Sequence, residues 1–598
     1  MRIDRQRIDE TLSTAAERLL AEAGAEGHWH GELSASALST ATAVWALSAV
    51  DPRAHAPLVR RGLHWLAEHQ NGDGGWGDTT LSRSNISTTM LVWSALEAGG
   101  PSAACRRAVA GAEAWIERQA GGLDPAALAR AVAGRYGRDR TFSVPILSMC
   151  ALAGRLGAVP EAFGRIAPLP FELAALPHGW LKALRLPVVS YALPALIALG
   201  QLRHHFRPPP NPLTRALRDA LRGPALAVLE RIQPAAGGFL EAAPLTGFVV
   251  MSLAAMGRAR HPVARRGAAF LVRGVRGDGS WPIDTNLATW VTTLAVDALS
   301  AAGRLGEHLD AARRGRIVEW LLAQQHRAVH PYTHAAAGGW AWTDLPGGVP
   351  DADDTAGALI ALDRLARTDP HALQAAAAGA GWLAGLQNRD GGIPTFCRGW
   401  GTLPFDRSAA DLTAHALAAL AAWDERLPPP AAGRARRAAG KTLRFLRRAQ
   451  RDDGAWVPLW FGNEHAPGQA NPTYGTARVV AALRTPAVGG RPGVAGMIAR
   501  AAGWLAAAQG PDGGWGGAPG VTPSIEETAL AVGALAGTAG ADDAVARGVR
   551  WLIDRTDAGR EMPPAPIGFY FAKLWYFERL YPLLFTVWAL GRVRAGST

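Results

Sequence analysis

Cysteine is scarce: there are three in 598 residues, at positions 105, 150 and 397, and no CxxC pairing. That spacing indicates neither a disulfide framework nor a structural zinc site, and buried free thiols in a reducing compartment are the expectation. A membrane-crossing run is also missing. The longest apolar stretch, LPVVSYALPALIALG at 186–200, has 15 residues, against the ~20 that a spanning helix needs. Read alone, it is either a core helix or a segment dipping into one leaflet. The N-terminus, MRIDRQRIDETLSTAAERLL, is charged and amphipathic and lacks the apolar centre of a signal peptide. Dense Lys/Arg blocks are absent. The formal charge is +12, but the basic residues are mostly arginines scattered among Ala and Leu. This disfavours nucleic acid and leaves an anionic membrane surface as the partner of that charge. Strand signals are nearly absent too. At 48% hydrophobic and 19% charged residues the chain is expected to fold, and its length allows more than one domain around a large core.

What is abundant is tryptophan, 22 against 7 tyrosines, and glycine, 69. Much of it recurs in one pattern: an aromatic-Leu or aromatic-Ile pair, then Gln, then Gly and Trp. It reads RRGLHWLAEHQNGDGGWG at 60–77, KTLRFLRRAQRDDGAW at 441–456 and AAGWLAAAQGPDGGWGG at 501–517. Weaker copies are RRGAAFLVRGVRGDGSW at 265–281 and AGWLAGLQNRDGGI at 381–393, and RGVRWLIDRT keeps only the first half. The aromatic-Leu pair closes a helix with a buried apolar face. The Gln amide can bond exposed backbone groups at that helix end. Asp-Gly-Gly makes a turn with positive φ, and Trp covers the next helix start while offering one N–H donor. An Ala/Leu/Val-rich helix follows each copy. The expected fold class is all-α, built from paired helices that stack as an open solenoid or close into a toroid.

One stretch stands out against this background. VPDADDTAGAL at 349–359 crowds Asp351, Asp353 and Asp354 ahead of an apolar helical run. Taken alone it is a metal site, an acid built to stay protonated, or, most simply, a helix N-cap with an acidic first turn.

The repeats resemble the QW motifs of the triterpene cyclases, and DADDT resembles the DxDD motif of the class II terpene cyclases, which begin by protonating an alkene. Together they make nearly the whole chain similar to the bacterial squalene–hopene cyclases. The resemblance implies two α/α barrels: residues 1–14 plus 281–598 carrying DADD, and an inserted barrel at 15–280, with the active-site cavity between them. It implies a monotopic protein on the cytoplasmic face of the cell membrane, with lipid contact near 171–205, and a possible homodimer. No metal or other cofactor is implied. The class I motif DDxxD, which uses magnesium, has a different order, and no second acidic motif of the NSE type is present. A prenyltransferase-like toroid would need zinc ligands, and Cys397 is preceded by no matching motif. The expected reaction is cyclisation of squalene to a hopene or hopanol skeleton. The alternatives are another polyprene, a prenyl diphosphate, or a non-catalytic toroid.

By the same resemblance Asp353 is the proton donor, tuned and reprotonated by Asp351 and Asp354. DLTAHALAAL at 411–420 matches the region supplying a partner histidine, His415. Asp411 and His415 stand at i and i+4, on one helical face, so Asp411 is expected to orient the ring and support its protonated form. Tyr474, in NPTYGTARVV, matches a tyrosine that assists reprotonation through water. Aromatic faces stabilise migrating cations. The matching positions are Trp342, Phe396, Trp290 and Tyr191, together with Tyr570, Phe571 and Trp575 in IGFYFAKLWYFERLYP. Trp342 stands for a phenylalanine of the family and Phe396 for a tyrosine, and the linker 459–476 is longer than usual. These departures bear on substrate and product rather than on the reaction class.

Overall fold

The computed structural model describes residues 5–99, 103–137, 139–177, 192–331, 333–396, 404–569 and 572–596. Two rings of helices organise them. In the first, α1 (Ala37–Val50), α2 (Ile86–Ala95), α3 (Arg140–Leu152), α4 (Leu193–Phe206) and α5 (Ala243–Ala255) pack in succession, and α5 returns to α1. In the second, α6 (Ala288–Ala301), α7 (Ala352–Ala366), α8 (Ala410–Trp423), α9 (Pro472–Leu483), α10 (Ile525–Leu535) and α11 (Tyr581–Gly596) do the same, and α11 closes on α6. The repeat pattern left solenoid and toroid open; the closed contacts make both rings toroids.

Inner and outer helices differ as their sequences require. The inner helices α1 and α5 consist of small and apolar residues around their whole circumference, and most of their residues are buried. The outer helices are amphipathic. Pro429–Ala449 buries Ala431, Ala435, Ala438, Ala439, Thr442 and Leu446 at helical spacing and turns its arginines to solvent. In the larger ring the outer layer is Ala311–Ala323, Pro370–Leu386, Pro429–Ala449, Val494–Ala507 and Asp542–Arg555. The N-terminal helix Arg5–Ala21 completes it by packing on α11.

The QW-like loops are the joints. Gln70 Nε2 donates to Gly74 O within its own loop and to Ala108 O on the next outer helix, at 2.7 and 2.9 Å. Trp76 Nε1 donates back to Leu66 O at 2.8 Å. The same bonds recur at Gln450 and Trp456 and at Gln509 and Trp515. Gln233 and Gln325 form two further joints that the linear pattern does not reveal. The backbone N–H at the Trp position is then taken by a threonine hydroxyl of the following inner helix, at 3.0 Å for Trp76 on Thr89 and Trp281 on Thr40.

The two rings have separate cores. Ile8, Leu12, Leu19, Trp29 and Leu33 belong to the larger one, residues from Ala37 to Trp281 supply most of the smaller, Ile283 rejoins the larger, and Val349, Phe396 and Phe405 reach from the later segment into the smaller. A division at residue 14 would cut the helix Arg5–Ala21 in half. We therefore place the first crossing between Leu33 and Ala37. The two crossings run side by side, with Ala35 paired to Pro282 and Ser36 to Trp281 in antiparallel fashion. The other small sheet joins Phe461–Gly462, Ile567–Phe569 and Leu574–Tyr576. None of the described helices is long and apolar enough to cross a membrane. Of the apolar run 186–200, residues 193–200 lie in α4, where Leu193, Ile197 and Leu199 are core residues. Residues 178–191, including Tyr191, lie outside the described residues, as do Cys397, Tyr570 and Phe571.

Candidate active site

The acidic stretch is held on both sides before it becomes helix. Asp351 N donates to Trp340 O and Ala352 N to Thr395 O, both at 2.9 Å. Asp351 has extended backbone angles and caps α7, its Oδ1 accepting the N–H groups of Asp353 and Asp354 at 2.9 Å each. The simple reading of the motif is thus realised by one of its three carboxylates. The cap aims Asp353 across to α8, where His415 Nδ1 lies 2.5 Å from Asp353 Oδ1.

Burial acts on the other carboxylates. It pushes Asp351 up to about 7 and Asp354 well above the ordinary carboxylate range, where the Asp351 charge pushes it further. Burial and the Asp351 charge therefore both favour the protonated form of Asp354. Asp411 is also pushed up to about 7, first by burial and then by the Asp353 charge. Its position differs from the sequence expectation. It shares the helical face of His415, yet neither carboxyl oxygen has a hydrogen-bond partner among the described residues. A carboxyl without a bond to the ring does not orient it. Tyr474 is buried near Asp353 and Asp411, and burial pushes its phenol far up.

A register common to the inner helices explains why these residues meet. The threonine that anchors each joint is Thr292 in α6, Thr355 in α7, Thr413 in α8, Thr476 in α9 and Thr528 in α10. Two residues before it stand Trp290, Asp353, Asp411, Tyr474 and Glu526. One helical turn further, at i+4, stand Leu294, Gly357, His415, Arg478 and Leu530. Glu526 and Arg478 were not among the expected site residues, and the threonine register is the signal that finds them. Burial pushes Glu526 up to about 8. It also works against the charge of Arg478, but Tyr474, Asp353, Asp297 and Asp411 outweigh it and hold the guanidinium protonated.

Two environments meet at this ring. On one side runs a chain of aromatic contacts. The ring of His415 meets Trp290 edge-on at 6.1 Å, and Trp290 Nε1 donates to Tyr581 Oη at 3.0 Å. Tyr576, Phe569, Trp460, Phe396 and Trp342 follow, each within 6.4 Å of the next. Phe405 packs on both Phe396 and Trp460. Trp342, Trp460 and Leu574 also pack against the smaller core, so the aromatic arc lies where the two barrels meet. Among the expected wall residues, Trp290, Trp342 and Phe396 belong to this arc. Trp575 does not join it: strand alternation turns its side chain to the face opposite Tyr576, and its backbone N–H donates to Asp78 Oδ2 at 2.8 Å. Trp460, Phe405 and Tyr581 are additions.

On the other side, a cavity of about 910 Å³ fills the lumen of the larger barrel. Its walls include Asp411, His415, Arg478, Asp297, Arg364 and Arg592, and Asp353 is not among them. This lumen is too polar to be a hydrocarbon pocket. His415 stands between it and Asp353.

A profile of the squalene-hopene cyclase C-terminal domain matches residues 286–595, and one of the N-terminal domain matches residues 12–150. A probable squalene–hopene cyclase of Sinorhizobium fredii is 25% identical over 99% of this chain and 97% of its own. Enfumafungin synthase of Hormonema carpetanum is 29% identical over 50% of this chain, a match spanning only 24% of that protein. In fold, the ent-copalyl diphosphate synthase of Streptomyces platensis superposes with a TM-score of 0.58 at 20% identity, covering 99% of this chain and all of that one.

Proposed function

The chain belongs to the squalene–hopene cyclase family, and from that premise we propose that it is a class II polyprene cyclase in which Asp353 protonates a terminal alkene. The observation that carries this reading is the 2.5 Å contact of Asp353 with His415 at the junction of a dry aromatic arc and a polar lumen.

The chemistry follows from that junction. The Asp353 carboxyl adds its proton to the less substituted carbon of a trisubstituted alkene, which leaves a tertiary carbocation. Neighbouring double bonds close rings onto that cation in turn. The faces of Trp290, Trp342, Phe396 and Trp460 stabilise positive charge without forming a bond to it. Loss of a proton or capture of water ends the sequence, so the reaction is an isomerisation or a hydration. As Asp353 becomes a carboxylate, His415 donates to it. The proton is restored from the lumen side through His415, with Tyr474, Asp351 and Asp354 in support. None of these steps asks for a metal ion.

Squalene is the proposed substrate and a hopene-type triterpene the proposed product. Such a substrate comes from a lipid phase. Leu213 and Leu217 are 80% and 53% exposed on the helix Pro212–Ile232, which packs on Phe171–Ala175. These leucines and the +12 charge support a membrane-facing surface on this helix. Incubating detergent-solubilised protein with squalene, with and without EDTA, tests the proposal. Loss of squalene in both arms is the expected result; no loss in either would contradict it.

One observation favours a second substrate class, a prenyl diphosphate. Arg135 Nη2 donates to Lys573 O at 3.3 Å across the barrel interface. Burial, and then the Arg135 charge, push the Lys573 ammonium down. Two cations held together in a partly buried place suit a diphosphate. Turnover of a prenyl diphosphate, weakened by Arg135→Gln, with squalene untouched, would establish this substrate instead.

A further inference from the structure

The segment between the helix Arg5–Ala21 and α1 carries His28, Trp29 and His30. Trp29 is a joint of the usual kind, its indole N–H donating to Leu19 O at 2.6 Å. The histidines have no part in that joint. His28 is completely buried, and its ring stacks on Trp320 with centroids 4.1 Å apart and planes at 14°. Neither ring nitrogen has a hydrogen-bond partner among the described residues, and the Glu26 carboxylate is 4.0 Å from Nδ1. A neutral imidazole presents one donor and one acceptor, and leaving both empty in a buried place is costly. The buried His204 differs: its Nε2 lies 2.8 Å from Asp219. His30 meets the His28 ring edge-on at 4.4 Å. Asp344 comes from the loop ahead of α7. One ligand atom from each of His28, His30 and Asp344 can be chosen so that all three lie within 4.8 Å of one another.

We propose that His28, His30 and Asp344 form a binding site for a borderline divalent transition ion, of which zinc is the representative. Two imidazoles and one carboxylate are the donor set such ions take, and oxygen-seeking magnesium or calcium would not choose it. Bonds of 2.0–2.2 Å put tetrahedral ligands about 3.4 Å apart. Reaching that spacing asks for a small movement, and the exposed His30 is free to make it. The remaining position would be taken by water.

The location gives the site a purpose apart from the chemistry. Asp344 is two residues after Trp342 and seven before Asp351. The same loop is already fixed at Thr343, whose hydroxyl donates to Asn286 Oδ1 at 2.7 Å, and at Trp342 O, which accepts from Thr289 N at 3.0 Å. An ion on Asp344 would tie this loop to the N-terminal segment. It would thus steady the aromatic wall and the entry into the acidic helix from outside the reaction cavity.

Untagged full-length protein, dialysed against zinc and then against buffer, should retain one equivalent by elemental analysis. Calcium and magnesium should not compete. Cobalt should give visible d–d bands of a four- or five-coordinate site. Zinc should slow amide hydrogen exchange in residues 340–350. His30→Ala, a change at an exposed position, should weaken zinc binding at least about tenfold with an unchanged circular dichroism spectrum, and Asp344→Asn should do likewise. Failure to retain zinc, or equal zinc affinity in the parent and both variants, would overturn the proposal.

Discussion

The two barrels are built with the same joints and carry different cargo. In the smaller, Thr40, Thr89 and Thr246 receive the backbone N–H of Trp281, Trp76 and Phe239 at 3.0 Å. In the larger, Thr355 and Thr413 receive those of Trp340 and Ile393 at 3.0 and 2.8 Å. Two residues before the anchor the smaller barrel has Leu38, Ser87 and Pro244, where the larger has Asp353 and Asp411. The joint therefore carries no chemistry. It sets the height and rotation of each inner helix, so that a residue at one register position arrives at one end of the ring. At one such position stands Asp353, the proposed proton donor.

Changes at the register position should break this comparison most severely. Asp353→Asn keeps the volume and removes the acidic proton, so turnover should fall below detection while the thermal transition stays near the parent's; residual turnover within tenfold would take Asp353 out of its role. His415→Gln should lower turnover by about 10²–10⁴-fold, as loss of a proton-relay partner does. Asp411→Asn tests burial rather than catalysis. The folded protein holds this proton up to about pH 7, whereas an unfolded aspartate releases it near 4. Between those values the folded state binds more protons, so Asp411 makes stability decline as pH rises. The asparagine variant should lose that part of the decline, seen as a melting temperature that gains on the parent's between pH 4 and 7. An identical pH slope in both proteins would contradict the assignment. The smallest effect belongs to the joints. Thr355→Val and Thr89→Val should each cost about 1–3 kcal/mol in chemical denaturation, since each leaves a buried N–H without its acceptor. Only Thr355→Val should also change kcat, because only its helix carries the acid.

How far the sequence could be read follows from the same distinction. The Gln and Trp of the joints stand six residues apart in three copies, and this regularity made paired helices legible. Between Gln325 and Trp340 the spacing is fifteen, and that joint, which leads directly into DADDT, escaped the pattern although its bonds are the same. Ring closure was not legible from periodicity, because a solenoid and a toroid bury the same helical faces. The resemblance supplied Asp353 and His415, and helical spacing put Asp411 on the same face. Spacing does not report burial, so it could not reveal that the Asp411 carboxyl has no hydrogen-bond partner among the described residues. Trp460 lies in an irregular segment and Phe405 in a single 3₁₀ turn, Pro404–Asp406, and neither has a period to read. Tyr581 begins α11 and has no preceding anchor threonine of the common register.

The central claim is that a proton from Asp353 ends on substrate carbon, and running the reaction in D₂O with EDTA present tests it most directly. The account predicts one deuterium per product molecule contributed by the initiating step, at the less substituted carbon of the former terminal alkene, and no product with Asp353→Asn. Product with no deuterium at that carbon, or labelled product from the Asp353→Asn variant, would contradict it.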